Sequence, residues 1–464
     1  MHVVSTGIGT GPTTQHVRTF RFHQLLPRLL RDPLAAIEYV GAQAQGEIVR
    51  LDLGVFRPYL VTHPDHVQHI LRDNSSNYLR EGMLWRPLRR LLGNGLAGEG
   101  PVWEERRAIF RPLFSAKNVA LLMDRVAAAI DEAMAPYEEY AATGRPIDVQ
   151  AEMTAIVHGV FRRVFFGDRI SRQQTDRLGH AVGVALTALG SRMLLPKVPD
   201  RVPLPGDRAY RRAGRTVDEI MEPLVRESRE RAEAGERDDI VSILCATAGR
   251  DGHPLDDRQV RDDVIAMFAA GTESSALTLT WLWVVLENHP QVRERMAKEI
   301  AEVVGDETPT RAHLPKLTYT KMVLQELVRL YPVGWIMPRT AAGPDTIGKV
   351  PIKAGDTVMF SPYLMHRLDY LWERPHEFDP ERFAPERAAR YGFAYVPFGA
   401  GPHTCLGSNF FMTEAQLVLA AMLRRFRPRV LNAGSVKPWA LASIRPRGQV
   451  RMVLEPVRPA PAAG

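Results

Sequence analysis

The chain has 464 residues, a formal net charge of +7, 45% hydrophobic and 24% charged residues, a balance that suits a globular protein with a large core and excludes disordered or collagen-like chains. Two cysteines, Cys245 and Cys405, exclude a disulfide framework; the opening MHVVSTGIGTGPTTQHVRTF has no secretory pattern and no apolar run reaches the roughly 18 to 20 residues that span a bilayer, so a reduced, cytoplasmic setting is expected. The mild basic excess contains no low-complexity basic tract, which argues against nucleic acid; a patch that docks an acidic protein partner accounts for it equally well.

In chain order, residues 1–46 read as a lead punctuated by proline. From Glu47, EIVRLDLGVFRPYLVTHPDHVQHIL alternates apolar and polar residues and then changes period, predicting two short strands and a helix. Apolar residues recur at three and four from about Val119 to Met193 and from Asp207 to Val304, so the middle is predicted helical, broken at LPKVPDRVPLPGD and AGRDGHPLDD. The pattern turns extended between Ala341 and Pro362. After Tyr370 comes a Pro- and charge-rich stretch, LWERPHEFDPERFAPERAARYGFAYVPFGAGPHT, without usable period. Segments of that length without regular structure are usually functional.

That stretch ends at Cys405. Beyond it, LGSNFFMTEAQLVLAAMLRRF sets Phe411, Ala415, Val418, Met422 and Phe426 on one helical face. The cysteine is therefore predicted in a glycine-rich loop just before a helix N-terminus, where free amides and the helix dipole favour thiolate. Glycines there let a flat ligand approach the main chain. The residues alone leave two readings open, a small buried hydrophobe or a ligand; zinc is not supported, since no second Cys or His cluster accompanies the thiol.

The spacing Phe398, Gly401, Cys405, Gly407 in FGAGPHTCLG resembles the heme-binding signature of cytochromes P450, in which the cysteine is the proximal thiolate ligand of the iron. Further motifs come in the family's order. Glu326 and Arg329 in LQELVRLYP, with Arg382 in FDPERF, resemble the Glu-Arg-Arg network that holds the cysteine loop in place. MFAAGTESSALTLTW is similar to the long helix across the distal face of the heme: Ala270 and Gly271 would make room for oxygen and substrate, Glu273 would be the acid and Ser274 the alcohol of the proton-delivering pair. Serine stands where threonine is usual. It keeps the hydroxyl and lacks the methyl group that restricts the rotamer. Trp103 and Arg107 resemble the family's Trp-x-x-x-Arg, and with Arg339 and His403 they would reach the heme propionates. Phe411 stands where an alanine usually comes after the signature, and Glu414 where the family has its glutamate. Cys245 reads as core, and His366 and Arg367 match a structural segment.

The resemblance runs from about Glu47 to Glu455. It implies a mainly α fold with small β-sheets (α+β), residues 47–464 forming a single heme domain with a strand-rich and a larger helical region. It further implies a heme-thiolate monooxygenase with heme b, O2, and electrons from a separate ferredoxin and its reductase, because no dinucleotide fingerprint follows a strand. Arg424 and Arg425 are candidate docking residues. Trp85, Ala269, Thr272, Val333, Trp335, Ile336 and Leu441 would line an apolar pocket for a hydrophobic small molecule such as a terpenoid, polyketide or fatty acid. A P450-fold peroxygenase or coupling enzyme, and a non-enzymatic heme sensor or carrier, are the alternatives.

Overall fold

The computed structural model describes residues 17–457 apart from Val55, Met83, Leu84, Pro196, Lys197, Asp200, Asp251, Ala388, Ala389 and Leu441. Strand β1 (Thr19–Phe20) precedes α1 (Phe22–Arg31) and α2 (Pro33–Ala44). Asp32 separates the two helices by capping the second, its carboxylate accepting from the amides of Leu34 and Ala35 at 3.0 and 3.1 Å. Phe20, Leu25, Leu34 and Ile37 enter the main core, so this part of the lead packs against the rest of the chain.

β2 (Val49–Leu51), β3 (Tyr59–Val61) and α3 (Pro64–Gln68) come next, as the alternation from Glu47 implies; a π-turn (His69–Asp73) and β4 (Tyr78–Leu79) complete the strand-rich start. The helical middle holds α4 (Trp85–Leu92), α5 (Gly100–Leu113), α6 (Ala116–Ala133), α7 (Ala135–Thr143), α8 (Val149–Phe165), α9 (Arg172–Ala188) and α10 (Gly190–Leu194). It continues through α11 (Asp207–Glu233), α12 (Ile240–Cys245), α13 (Asp257–Asn288), α14 (Pro290–Val304) and α15 (Thr318–Leu330). One short strand, β5 (Ile147–Asp148), interrupts it. The extended part contains β6 (Met337–Ala341), β7 (Asp345–Ile347), β8 (Val350–Ile352) and β9 (Thr357–Phe360) before α16 (Pro362–Met365). α17 (Ser408–Arg425), β10 (Phe426–Val430), β11 (Pro438–Ala440), β12 (Ile444–Pro446) and β13 (Arg451–Pro456) end it.

The main sheet has the order β1-β2-β3-β9-β6-β4. β3 runs parallel to β9, with Tyr59 opposite Val358, and β6 antiparallel to β9, with Arg339 opposite Val358. This pairing brings the chain's start against residues some 300 positions later. The smaller sheets are β10-β13-β5, β11-β12 and β7-β8.

α13 is the axis of the helical part. Asp256 and Gln259 form a reciprocal capping box at its start, 2.7 and 3.0 Å, and every residue from Ser275 to Leu286 is buried, the pattern of a helix enclosed on all sides. Trp283 donates from Nε1 to the Met153 sulfur of α8 at 3.3 Å, while Trp281 stacks on Tyr331 with ring centroids 4.4 Å apart. α17 ends at Arg425, so Phe426 opens β10 and does not prolong the helical face on which its spacing places it. The stretch Gly401–Arg425 is long and apolar enough to cross a membrane, but 67% of that window is buried inside the fold, as in a core helix.

From His366 to Gly407 the described residues contain no strand and only short 3-10 turns at Pro380–Phe383, Pro385–Arg387 and Gly401–His403. Arginine replaces the missing ladder. Fully buried Arg329 grips Glu326 with two bonds of 2.6 and 2.8 Å, and its remaining donors reach the carbonyls of His366, Pro375 and Glu377 at 2.6, 2.7 and 3.0 Å. Arg382 shares the same carboxylate at 3.3 Å and donates to the Arg374 carbonyl at 2.6 Å. A guanidinium can serve several acceptors in one plane, so two of them order a segment whose backbone cannot order itself.

Candidate active site

Cys405 lies at the end of that segment. Its amide donates to the Phe398 carbonyl at 2.9 Å, closing the loop, and Phe398 sits 6.3 Å from Phe411 between ring centroids. Gly401 has φ +68°, and a Cβ there would lie 1.7 Å from the Leu71 carbonyl oxygen, so the loop is pressed against the π-turn. Gly407 has an ordinary φ of −81° as the residue before α17, and a Cβ there would meet only the Cys405 sulfur, at 4.0 Å.

The thiol is accessible although protein surrounds it on every side, which fits the wall of an internal cleft. Its ionisation differs from the sequence expectation. Burial pushes the thiol up, and the amides of Gly407 and Ser408 and the charge of Arg107 pull against it without reversing it. The helix start favours thiolate less than the surrounding protein disfavours any charge. A cation bound at the sulfur would invert this balance.

A second accessible point lies on α13. Ala270 is exposed halfway along a helix that is otherwise mostly buried. Its neighbour Gly271 serves another purpose than open space, because a Cβ there would come 2.6 Å from the Phe161 ring of α8. The missing side chain permits close helix packing. Ala269 is half-buried, and Thr272 is buried with its hydroxyl turned back to the Phe268 carbonyl at 2.8 Å. Ser274 Oγ donates to the Ala270 carbonyl at 2.6 Å. Glu273 is held from outside the helix: Arg445 Nη2 lies 2.5 Å from its Oε1, and Ser443 Oγ donates to the same oxygen at 3.3 Å.

Around the cysteine loop gather cationic groups. Trp103 of α5 stacks on His403, centroids 4.0 Å apart and planes at 19°. Arg107 donates to the Thr404 carbonyl, next to the cysteine. Arg339 is buried and donates to the carbonyl of Pro338 at 2.8 Å; among the described residues no carboxylate pairs with it. Burial pulls this guanidinium down to about 10. A buried cation without an anion is costly, which marks Arg339 as awaiting one.

Sequence reasoning misses Arg80, Glu99 and Arg445. Glu99 accepts from the amide and Nε of Arg80 at 2.7 and 3.0 Å and contacts His403 Nε2 at 3.1 Å. Burial raises its carboxyl, but His403 and Arg80 outweigh burial and hold it at about 2. These partners come from loops up to 304 positions apart, and no local spacing announces them.

Of the expected pocket residues, Val333 and Ile336 are half-buried, and Trp85 donates from Nε1 to the Pro338 carbonyl at 3.2 Å. Trp335 is buried in the core, its carbonyl accepting from Ser361 at 2.6 Å, and so offers less open surface than expected. Leu441 lies outside the described residues. Phe411 and Glu414 are buried, and burial raises the Glu414 carboxyl to about 8. Cys245 is a buried core thiol. Arg425 pairs with Asp131 and Arg424 donates to the Asp306 carbonyl at 3.0 Å, so both are engaged within the fold.

A family model described as cytochrome P450 matches residues 23–446. Among curated proteins, the cyclooctat-9-en-7-ol 5-monooxygenase of Streptomyces melanosporofaciens is 32% identical over 431 residues, covering 92% of each chain. The pentalenene oxygenase of Streptomyces avermitilis is 30% identical over 430 residues, 92% of this chain and 94% of the relative. The crystal structure of the cytochrome P450DA heme domain superimposes with a TM-score of 0.84 at 22% identity, covering 96% of this chain and 98% of the other, a likeness of fold.

Proposed function

The chain belongs to the cytochrome P450 family and is a monooxygenase of that family, and on that premise we propose that it oxidises a terpenoid hydrocarbon or alcohol in secondary metabolism. The observation that carries the chemistry is the accessible Cys405 thiol deep in the molecule, with the carboxylate-free cation Arg339 buried in the same protein. This donor set fits heme b: one thiol for the iron, and Arg339, Arg107 and His403 for the two propionates, with Trp103 bracing His403. Heme held through a thiolate supplies the activation of O2 from which one oxygen atom enters a C-H or C=C bond and the other leaves as water.

The chain's own residues position and exclude. Arg329 and Arg382 hold the cysteine segment through Glu326. The Ser274 hydroxyl rests on the Ala270 carbonyl at the exposed point of α13, and Arg445 and Ser443 fix the orientation of the Glu273 carboxylate beside it, the acid and alcohol assigned to proton delivery in this proposal. Ala269, Val333 and Ile336 give an apolar wall. In keeping with the family, O2, a separate electron source and a hydrophobic substrate are required; a ferredoxin with its reductase, a cytoplasmic location and a single heme domain over residues 47–464 belong to this proposal. The terpenoid class is supported by relatives named for cyclooctat-9-en-7-ol and pentalenene, each about 30% identical over more than nine tenths of the chain.

The test supplies cyclic terpenes under labelled oxygen with a bacterial ferredoxin, its reductase and NAD(P)H. One labelled oxygen atom per product supports the proposal. Product formed with peroxide alone and not with the electron donors would assign the peroxygenase alternative instead.

A further inference from the structure

We propose that the arginine-lined cleft between α4, α11 and the start of α13 binds a small molecule carrying two or more phosphate groups, as a free polyphosphate or a nucleotide. The cleft encloses about 1180 Å³, the scale of a small-molecule site. It contains none of Cys405, Arg339, Arg107 or Ala270–Ser274, so it is separate from the candidate active site.

Its charge is unbalanced. Arg211, Arg215 and Arg226 on α11 and Arg258 on α13 are exposed and line the cleft, and among the described residues none of these four side chains has a hydrogen-bond or ion-pair partner. The carboxylates along the same walls are mostly taken. Asp218 and Asp262 hold Arg261, each at 2.7 Å; Asp257 holds Arg229 at 2.6 Å; Asp256 caps α13, accepting from the Gln259 amide. The lining as a whole holds eight arginines against six carboxylates.

The floor is built, not merely charged. Arg106 is 2% exposed, its Nε lies 3.0 Å from Asp263, and its buried Nη1 has no hydrogen bond, with the Glu105 carboxylate 3.7 Å away; Arg89 Nε is likewise buried and unbonded, although its Nη2 pairs with Glu81 at 2.6 Å. Burial raises the Asp263 carboxyl to about 7, against the pull of Arg106 and the Leu96 amide. A buried donor without an acceptor is costly, and an oxyanion in the cleft would supply one. Guanidiniums match phosphate oxygens in pairs. Arg211 and Arg215 lie four residues apart on one helix, about 6 Å, a spacing that suits two linked phosphates better than a single one.

The experiment titrates the heme-loaded protein with tripolyphosphate and with ATP by calorimetry at low salt. Saturable binding of either at one per chain is expected, with Kd raised at least tenfold in Arg215→Glu/Arg258→Glu and unchanged in Lys353→Glu on the loop before β9. Tripolyphosphate alone sufficing identifies phosphate as the ligand; a requirement for ATP identifies a nucleotide. Both variants must keep the parent's circular dichroism, and Arg215→Lys/Arg258→Lys should restore binding if the first pair misfolds. No saturable binding, a Kd within twofold of the parent in the charge-reversed variant, or tighter binding of poly-glutamate than of both probes would overturn the proposal.

Discussion

Gly401 and Gly271 show how much rests on single missing side chains. At Gly401 both the left-handed backbone and the carbonyl of Leu71, 1.7 Å from a would-be Cβ, forbid any other residue. Gly401→Ala is expected to prevent heme loading, read as a lost Soret band in purified protein. At Gly271 the obstacle is the Phe161 ring, itself stacked on Phe165 with centroids 4.1 Å apart. Gly271→Ala gains about 1 kcal/mol of helix propensity and loses about 1–3 kcal/mol to overpacking, so its thermal midpoint should fall modestly with the active-site spectrum intact. An unchanged or raised midpoint would mean α8 yields freely. Glu414 supplies a pH signature. Its carboxyl titrates near 8 in the fold against 4.5 ordinarily, so between those values the unfolded chain releases a proton that the native one keeps, and stability falls as pH rises. Glu414→Gln lacks that slope and should gain on the parent by about 1 kcal/mol per pH unit from pH 5.5 to 7.5; a constant difference would show that the carboxyl is not held neutral. Cys405, Glu326 and Arg329 are legible because their spacing is local and their chemistry unusual. Gly271 is legible as a break in helix propensity, but its cause, Phe161, lies 110 positions away. Arg445 and Glu99 carry no local signal at all, since their partners meet them only in the folded chain.

At the scale of elements, the long segment before α17 depends on the Glu326, Arg329 and Arg382 cluster. Removing the carboxylate charge leaves two buried guanidiniums uncompensated. Glu326→Gln should cost about 3–5 kcal/mol and yield mostly heme-free protein, whereas Arg387→Gln, at the exposed edge of the same segment, should be nearly silent. His366 joins the same segment to the end of α15. Its Nδ1 donates to the Arg329 carbonyl at 2.9 Å and its Nε2 accepts from the Val396 amide at 3.0 Å, a pairing that requires the neutral ring. Burial lowers this histidine from 6.5 to about 3. Between those values the unfolded state binds a proton that the native state refuses, so stability declines as pH falls below about 6.5. His366→Gln should flatten the acid limb of the thermal-midpoint profile between pH 6 and 4.5, and an unchanged limb would show that other groups govern it. The segment reads in sequence as aperiodic and important, yet what holds it is hidden, because carbonyl acceptors leave no trace in residue identity. The helices before it are visible from their periods, while β5, two residues long, is too short to carry one.

For the whole molecule, the order of helices and the mainly α character can be read from the sequence, but the six-stranded sheet cannot. Its central pairing, β3 with β9, joins segments with no hairpin between them, and only packing decides such a register. The proposed chemistry makes one demand on the entire fold: the strand-rich start, the α13 axis and the clamped segment must together place a thiolate against heme. Cyclic terpenes should then shift the heme spectrum of the resting protein at micromolar concentration, while sugars of similar size should not; binding confined to polar compounds would contradict the apolar pocket. The most direct measurement is the spectrum of the reduced protein under carbon monoxide. A Soret band strongly shifted to the red is predicted, as thiolate-ligated heme gives, together with its loss in Cys405→Ala while the helical circular dichroism is retained. An ordinary histidine-type band, or a red-shifted band that survives in Cys405→Ala, would contradict thiolate ligation by Cys405.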